Sequence, residues 1–350
     1  MEYSELSSIL LGTPFVIYGA QVIAYGAYCA LYDLMGIQPV SFVVNSREDN
    51  PYSIEGIKVS LVEEISNDVL VFVCVTKLLH EEIGELLKRR GFNKVIFLDD
   101  ELEFQLMSLY FKKNGLFPIA EKCSSKKEDF VLYEVRNHRD KPLILKPDLK
   151  EYEVSIQAGA ALTEKRIANI CDNQGENISH KNKQYCEMTA SYWVWKNVHQ
   201  EWKGIEHYRR HMSVDPDMIT KDVDVILPLP YVCFPNTLNQ FRRFVSEDVL
   251  HCLLNTLREL HPDEYERYIA ILQGQYQYTY NIVCAREKVF DDYCRWFFEI
   301  TEFMENYSND IPTIRDTRAL SYVAEVLTNI YFMDHLHELN IRHVQKKIYS

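Results

Sequence analysis

The chain has 350 residues, more than one typical domain, with 47% apolar and 25% charged residues; these values exclude global disorder and predict two folded domains. Its 51 acidic side chains outnumber 38 basic ones, for a formal net charge of -13, and no long Lys/Arg run offsets them, so nucleic acid is not an expected partner. The cysteines are odd in number, 9, and scattered without a C-x-x-C pair, which excludes the usual zinc and thiol-exchange spacings and predicts reduced thiols in a cytoplasmic protein.

No Lys or Arg precedes Arg47, and residues 9–44 are strongly apolar. Gly12-Thr13-Pro14, Gly19, Gly26 and Asp33 interrupt that run and no basic segment leads it, which argues against a signal peptide or a membrane span. Residues 15–18, a glycine turn, a helix ending near Gly36 and residues 40–44 predict a βαβ unit. The apolar runs 68–75 and 94–100, with a helical pattern at 78–91 between them, repeat the alternation, so residues 1–120 predict a Rossmann-like parallel α/β domain. Its first turn reads Gly19-Ala20-Gln21-Val22-Ile23-Ala24. Glutamine and alanine stand where a dinucleotide fingerprint carries its second and third glycines, so NAD is not an expected ligand and a docking or regulatory role is. The polar stretch 121–129 predicts a linker. Residues 130–350 predict a second, mixed α/β domain with strands at 129–138, 203–210, 222–230 and 278–285, a capped helix over 178–197, and helices at 246–260, 263–273, 286–307 and 317–333.

Four constellations carry candidate chemistry. In the helix 178–197, Ser179 is the expected cap, and Tyr185, Met188, Thr189 and Tyr192 recur at helical spacing and predict its core face; Glu187 falls on the opposite side, where a solvated face and a site role both stay open. Asn177 and Asn182 flank the cap and serve the turn or the site. "GIEHYRRHM", residues 204–212, sets two arginines behind a His-Tyr pair. If the strand runs through Arg210, His207 and Arg209 share one face and Tyr208 and Arg210 the other, and one guanidinium reaches the strand's C-terminal edge, where open α/β sheets bind ligands. Guanidinium grips phosphate bidentately, which suits a diphosphate leaving group; pairing with local carboxylates is the bland alternative. Asp222-Val223-Asp224 spells Asp-x-Asp but opens a strand rather than ending one, so a role at the strand's start is preferred over metal binding. "FPNTLNQFRRFV", residues 234–245, offers Phe241, Arg242 and Arg243 as an acceptor surface, or else an ordinary loop into a helix.

The segments "GENISHKNKQYCEMTASYWVWKN", "GIEHYRRHM", "NIVCAREKVFDDYCRWFFEI" and "AEVL" resemble a bacterial domain-of-unknown-function family found in capsule and exopolysaccharide clusters. That family is regarded as glycosyltransferases, with galactofuranosyl transfer among the assigned activities, and the likeness covers about residues 130–335. The resemblance implies a GT-A-like domain, a UDP-sugar donor, a capsular, exopolysaccharide or lipid-linked saccharide acceptor, and a cytoplasmic protein in peripheral contact with the inner membrane. His-Tyr-Arg-Arg stands where related sugar transferases carry Asp-x-Asp, so Arg209 and Arg210 would neutralise the departing diphosphate, and a divalent metal, Mn or Mg, is not favoured. Matching motifs carry over Asn177, Ser179, Asn182, Trp193, Lys196, His207, Tyr208, Arg209 and Arg210 as donor-binding residues. Glu187, Asp222, Asp224 and Glu325 are the nominees for the catalytic carboxylate. The chain departs from the family at Glu206, usually apolar or small, and in having "AEVL" for "AERL"; Glu206 would weaken a phosphate site unless it faces away from His207. The rival readings are a non-catalytic sugar- or nucleotide-binding scaffold subunit of a polysaccharide assembly complex, and an oxidoreductase using the first domain.

Overall fold

Short apolar runs punctuated by glycine build the first sheet. Phe15–Tyr18 and Leu70–Val73 are buried at every position, as strands covered on both faces must be. They pair in parallel at the centre of a six-stranded sheet in the order Ser53–Ile54, Ile57–Leu61, Phe42–Val44, Phe15–Tyr18, Leu70–Val73, Val95–Phe97, antiparallel only at the Ser53–Ile54 edge. The helices are Tyr3–Leu10, Val22–Met35, His80–Arg89 and Asp100–Lys113. Gly36 closes the second of these in the left-handed conformation at φ 67°. Gly19, at φ 121°, ends the first strand where an added Cβ would lie 2.7 Å from the Cys74 carbonyl oxygen. The apolar stretch 9–44 is thus a strand and a helix of 14 residues, and among the described residues no helix is long and apolar enough to cross a membrane.

The computed structural model describes residues 1–123, 129–307 and 310–349, so the middle of the expected linker, 124–128, lies outside the described residues. The chain divides into two compact units: Met1–Pro118 with Tyr231–Asn236, and Ile119–Pro230 with Thr237–Ser350.

The second unit is built on a nine-stranded mixed sheet whose main path runs Ile341–Val344, Val225–Pro228, Val283–Arg286, Trp202–His207, Phe130–Arg136, Glu153–Gln157, Ile170–Cys171. Trp202–His207 is central, parallel to Phe130–Arg136 and antiparallel to Val283–Arg286. Gly204 lets the three strands close: a Cβ there would lie 2.7 Å from the Val283 carbonyl oxygen and 2.8 Å from Leu132 Cδ1. Leu132, Trp202, Met212, Ile226, Cys284 and Val344 form one core cluster with the sheet. The helices Glu247–Leu260, Tyr265–Gln273, Glu287–Glu305 and Ala319–Asp334 fall close to their predicted spans.

Three expected elements are interrupted, each at a residue in an unusual backbone conformation or in a turn. The helix expected over 178–197 is a single 3₁₀ turn Ser179–Lys181, a short helix Asn182–Tyr185 and a helix Met188–Asn197, broken at Cys186, which sits at φ 47°. The strand expected over 203–210 turns at Tyr208 and Arg209 and returns as Arg210–Met212. The strand expected over 278–285 begins only at Val283, after Tyr280 and Asn281 at φ 71° and 54°. Non-glycine residues in the left-handed region cost about 1–3 kcal/mol each, and such strain gathers at functional sites.

Candidate active site

The hairpin at Tyr208-Arg209 replaces the alternation expected of a continuous strand. His207 and Arg210 are now direct cross-strand neighbours, and Arg210 in turn pairs with Ile348 of the strand Lys346–Ile348. Tyr208 is buried, and its backbone N–H donates to the Val135 carbonyl at 3.1 Å, anchoring the turn to the neighbouring parallel strand. The Arg209 guanidinium lies 5.1 Å from the Tyr208 ring and that of Arg210 lies 4.1 Å from the Tyr280 ring. Among the described residues neither arginine forms a salt bridge with a carboxylate, although Asp140 acts electrostatically on Arg209, and Arg209 Nε is buried with no hydrogen-bond acceptor. Burial, with Arg210 and Arg209 adding to it, pushes the His207 pKa down to about 3, so the imidazole is neutral at physiological pH.

Two of the nominated carboxylates lie near this cationic end. Glu325, on the helix Ala319–Asp334, has its pKa raised to about 7 by burial and by the charge of Glu187, against a backbone hydrogen bond from Tyr280 and the pull of Arg210 and Arg318. Glu187 sits at the start of the helix Met188–Asn197, just past the strained Cys186. Asn281 Nδ2 donates to Glu187 Oε1 at 2.9 Å, while Asn281 Oδ1 accepts from Thr328 Oγ1 at 3.1 Å. Thr328 is one turn beyond Glu325, so a single buried amide ties Glu187 to the helix that carries Glu325. The left-handed pair Tyr280-Asn281 delivers the ring that stacks on Arg210 and the amide that holds Glu187. Arg318 interacts electrostatically with Glu187 and Glu325 and lies 5.2 Å from the Tyr322 ring.

Glu187, Glu325, His207, Arg209 and Arg210 are therefore brought together; Arg318, Tyr280 and Asn281 join them and were missed from the sequence. Arg318 is itself the cap residue of the helix Ala319–Asp334, a position that reads as a local structural cation, and Tyr280 and Asn281 fall within the expected strand 278–285, which hid their role.

The remaining nominees lie elsewhere. Ser179 donates through Oγ to buried Asp172, which also accepts from the Gly159 amide at 2.8 Å, the Ala160 amide at 3.0 Å and Thr189 Oγ1 at 2.6 Å. Asn182 bonds the Cys186 carbonyl at 2.6 Å, Thr189 and Asn137, and Asn177 accepts the Ser179 amide at 3.2 Å. All three hold the turn that leads into the broken helix, rather than offering free groups to a donor. Ser179 makes no cap to a backbone amide of its own helix; the expected cap is a bond to Asp172 instead. Trp193 donates through Nε1 to the Gln174 carbonyl at 2.8 Å, and Lys196 pairs with Glu176 at 3.3 Å while stacking on Trp195.

Asp222 and Asp224 do not fit a catalytic or diphosphate-metal role. They precede Val225–Pro228, which runs parallel to Trp202–His207, because both are antiparallel to Val283–Arg286. The aspartates thus lie at the sheet edge where Trp202 begins, opposite to His207. Asp222 is exposed and accepts from Thr220 Oγ1 at 2.6 Å; Asp224 accepts from the Asn340 amide at 2.9 Å and sits 3.8 Å from Arg286. Phe241 is corrected as well: it is 2% exposed and belongs to the core, while Arg242 pairs with Glu247 at 3.1 Å and Arg243 is exposed. Glu206 is buried on the face opposite His207, with one oxygen accepting from the Met212 amide at 3.0 Å, so its charge is turned away from the arginines.

The model of a family described as "Domain of unknown function (DUF4422)" matches residues 135–336, which contain this whole constellation. Among solved structures, the apo structure of WbbM, described as a bifunctional glycosyltransferase, is similar in fold, with a TM-score of 0.56 at 23% identity. The likeness covers 63% of this chain and 45% of that one, so the chain spans less than half the length of the protein it resembles. None of the curated proteins matches the chain.

Proposed function

The chain belongs to the family described as domain of unknown function DUF4422, and from that premise we propose that it is a glycosyltransferase moving a hexose, such as galactose in its pyranose or furanose form, from a UDP-sugar to a saccharide or lipid-linked saccharide acceptor of a capsule or exopolysaccharide. In this reading the second unit is the GT-A-like catalytic domain. The observation that carries it is a pair of adjacent guanidinium groups that form no salt bridge among the described residues, one of which, Arg210, acts on a carboxylate whose pKa is raised to about 7.

Each part has a physical task. As the anomeric bond breaks, negative charge grows on the diphosphate, and Arg209 and Arg210, positioned by the hairpin and by their aromatic neighbours, stabilise it where it forms. Glu325 accepts the proton of the attacking hydroxyl; a pKa near 7 makes it a stronger base than an ordinary carboxylate while leaving it substantially ionised at neutral pH. Glu187, fixed by Asn281, keeps Glu325 basic through repulsion. Asn177, Ser179 and Asn182 act as positioning residues, because they hold the turn that leads to Glu187.

The test is release of UDP from a panel of UDP-sugars, with acceptor and with or without chelator. Arg209→Ala and Arg210→Ala should each lower kcat/KM by about 10²–10³-fold whether or not chelator is present, the loss typical of removing one charge-stabilising group. Undiminished turnover in the double variant overturns the arginine role. Absence of any turnover across a broad panel, with the donor still bound, would favour the scaffold reading instead.

A further inference from the structure

The hairpin that presents Arg209 and Arg210 has a second face, and on it buried carboxylates converge. Glu206 and Glu134 are register partners on adjacent parallel strands, and Ser155 is the register partner of Glu134 on the next. Glu153 lies two residues before Ser155 and so on the same face. His211, from the returning strand Arg210–Met212, completes the group. Exposure is 0% for Glu134 and Glu206, 5% for His211 and 8% for Glu153.

These side chains approach one another without bonding well to one another. Ligand atoms of Glu153, Glu206 and His211 all lie within 4.8 Å of each other. His211 Nδ1 is 3.0 Å from Glu206 Oε1 and its Nε2 is 3.6 Å from Glu134 Oε1. Yet both Glu206 Oε1 and His211 Nε2 lack a hydrogen-bond partner among the described residues, because the contacts are misdirected. Groups that hydrogen-bond each other align donor to lone pair; groups that share a central ion aim past one another. Glu134, by contrast, is fully served by Arg136 at 2.8 Å and Ser155 at 2.6 Å.

Charge points the same way. Three carboxylates, Glu134, Glu153 and Glu206, face one guanidinium, Arg136, and at most one imidazolium, His211, so with all three ionised a buried negative charge has no partner. An uncompensated buried charge is costly. The nearby Lys150 is exposed, and its ammonium donates to the Val214 carbonyl. Beside a neutral imidazole, a divalent ion would bring three ionised carboxylates and Arg136 to neutrality.

We propose that Glu153, Glu206 and His211 form a binding site for one divalent first-row cation, of the Mn²⁺ or Zn²⁺ class that takes mixed imidazole and carboxylate ligands, and that the ion clamps the arginine hairpin to the neighbouring strands from the face opposite His207. It is structural, not catalytic, since its ligands point away from His207 and the arginines.

The experiment needs no turnover, so it stands or falls apart from the glycosyltransferase reading. Full-length chain stripped with chelator is titrated with Mn²⁺ and with Zn²⁺ by calorimetry, and melted with and without each ion. One equivalent should bind and raise the Tm, and Glu153→Gln and His211→Gln should each weaken binding by about 10–100-fold or more. Should His211→Gln fail to fold, Glu153→Gln, which keeps shape and loses only the charge, decides. No stoichiometric binding of either ion, or wild-type affinity in Glu153→Gln, overturns the site and leaves the cluster as an ion-pair network.

Discussion

Glu325 lies one turn before Thr328 on its helix, half-buried, with Glu187 opposing its ionisation and Arg210 and Arg318 favouring it. The balance leaves its pKa near the pH at which such an enzyme would work, and two measurements follow from it. The acidic limb of kcat/KM against pH should fall near 7, and Glu187→Gln, which removes a repelling charge, should shift that limb downward. Glu325→Gln should lower turnover by about 10²–10⁴-fold. A limb that stays put in Glu187→Gln would dissociate the two carboxylates. The same group opposes stability. Its folded pKa is raised, so the native state holds the proton more tightly than the unfolded chain does; the stability this contributes is present below the unfolded carboxylate range and is lost as pH rises through about 7. Glu325→Gln should therefore melt higher than wild type at pH 8, by more than any difference seen at pH 4, if the site trades stability for reactivity.

Two elements set the site's geometry, and both depend on a tight backbone. The central strand Trp202–His207 brings the hairpin to the sheet edge, and Gly204 is what allows its neighbours to close on it. In Gly204→Ala the new methyl would lie 2.7 Å from a backbone oxygen that cannot rotate away. We expect a loss of about 1–3 kcal/mol in denaturant melts, the usual range for overpacking, with the arginine hairpin perturbed at one end. A wild-type melting curve would mean that the strands are spaced more widely than described. The broken helix is the second element. Its discontinuity at Cys186 turns Glu187 toward Asn281, while Asp172, accepting from two amides and two hydroxyls, fixes the incoming turn.

At the scale of the whole molecule, the first unit retains the strand order of a doubly wound sheet, with Gly19 next to the point where that order reverses. The helix that follows begins with Gln21, whose side chain donates to Asn50 Oδ1 at 2.8 Å and to the Asp49 carbonyl at 3.1 Å, so it occupies the start of the helix where a pyrophosphate would need bare backbone. NADH fluorescence should show no saturable enhancement on adding the chain. Saturable binding would return the oxidoreductase reading to consideration. The acidic balance of the chain, at -13, makes the arginine end of the second unit a local exception to the overall field.

Much of the architecture was legible because it rests on local rules. Buried runs such as "FVIY" and "LVFV" are strands in any parallel sheet, Gly36 stops a helix wherever a left-handed residue is needed, and "GIEHYRRHM" displays its cations openly. The helix Asp100–Lys113 was equally legible, with Asp99 capping it and lysines in its last turn, and went unread. Other features follow no local rule. Nothing in "YCEM" announces a break at Cys186, nothing in "TYNI" announces two left-handed residues, and Phe241 looks as available as Arg242 until it packs inside. Residue types and their periodicity by themselves determined the mixed α/β class, most of the strands and the presence of two adjacent arginines. Only the tertiary structure decided which carboxylates meet them, placing Glu187 and Glu325 at the arginine edge and Asp222 and Asp224 at the other, because strand direction and long-range pairing, not sequence spacing, set which ends of a sheet coincide.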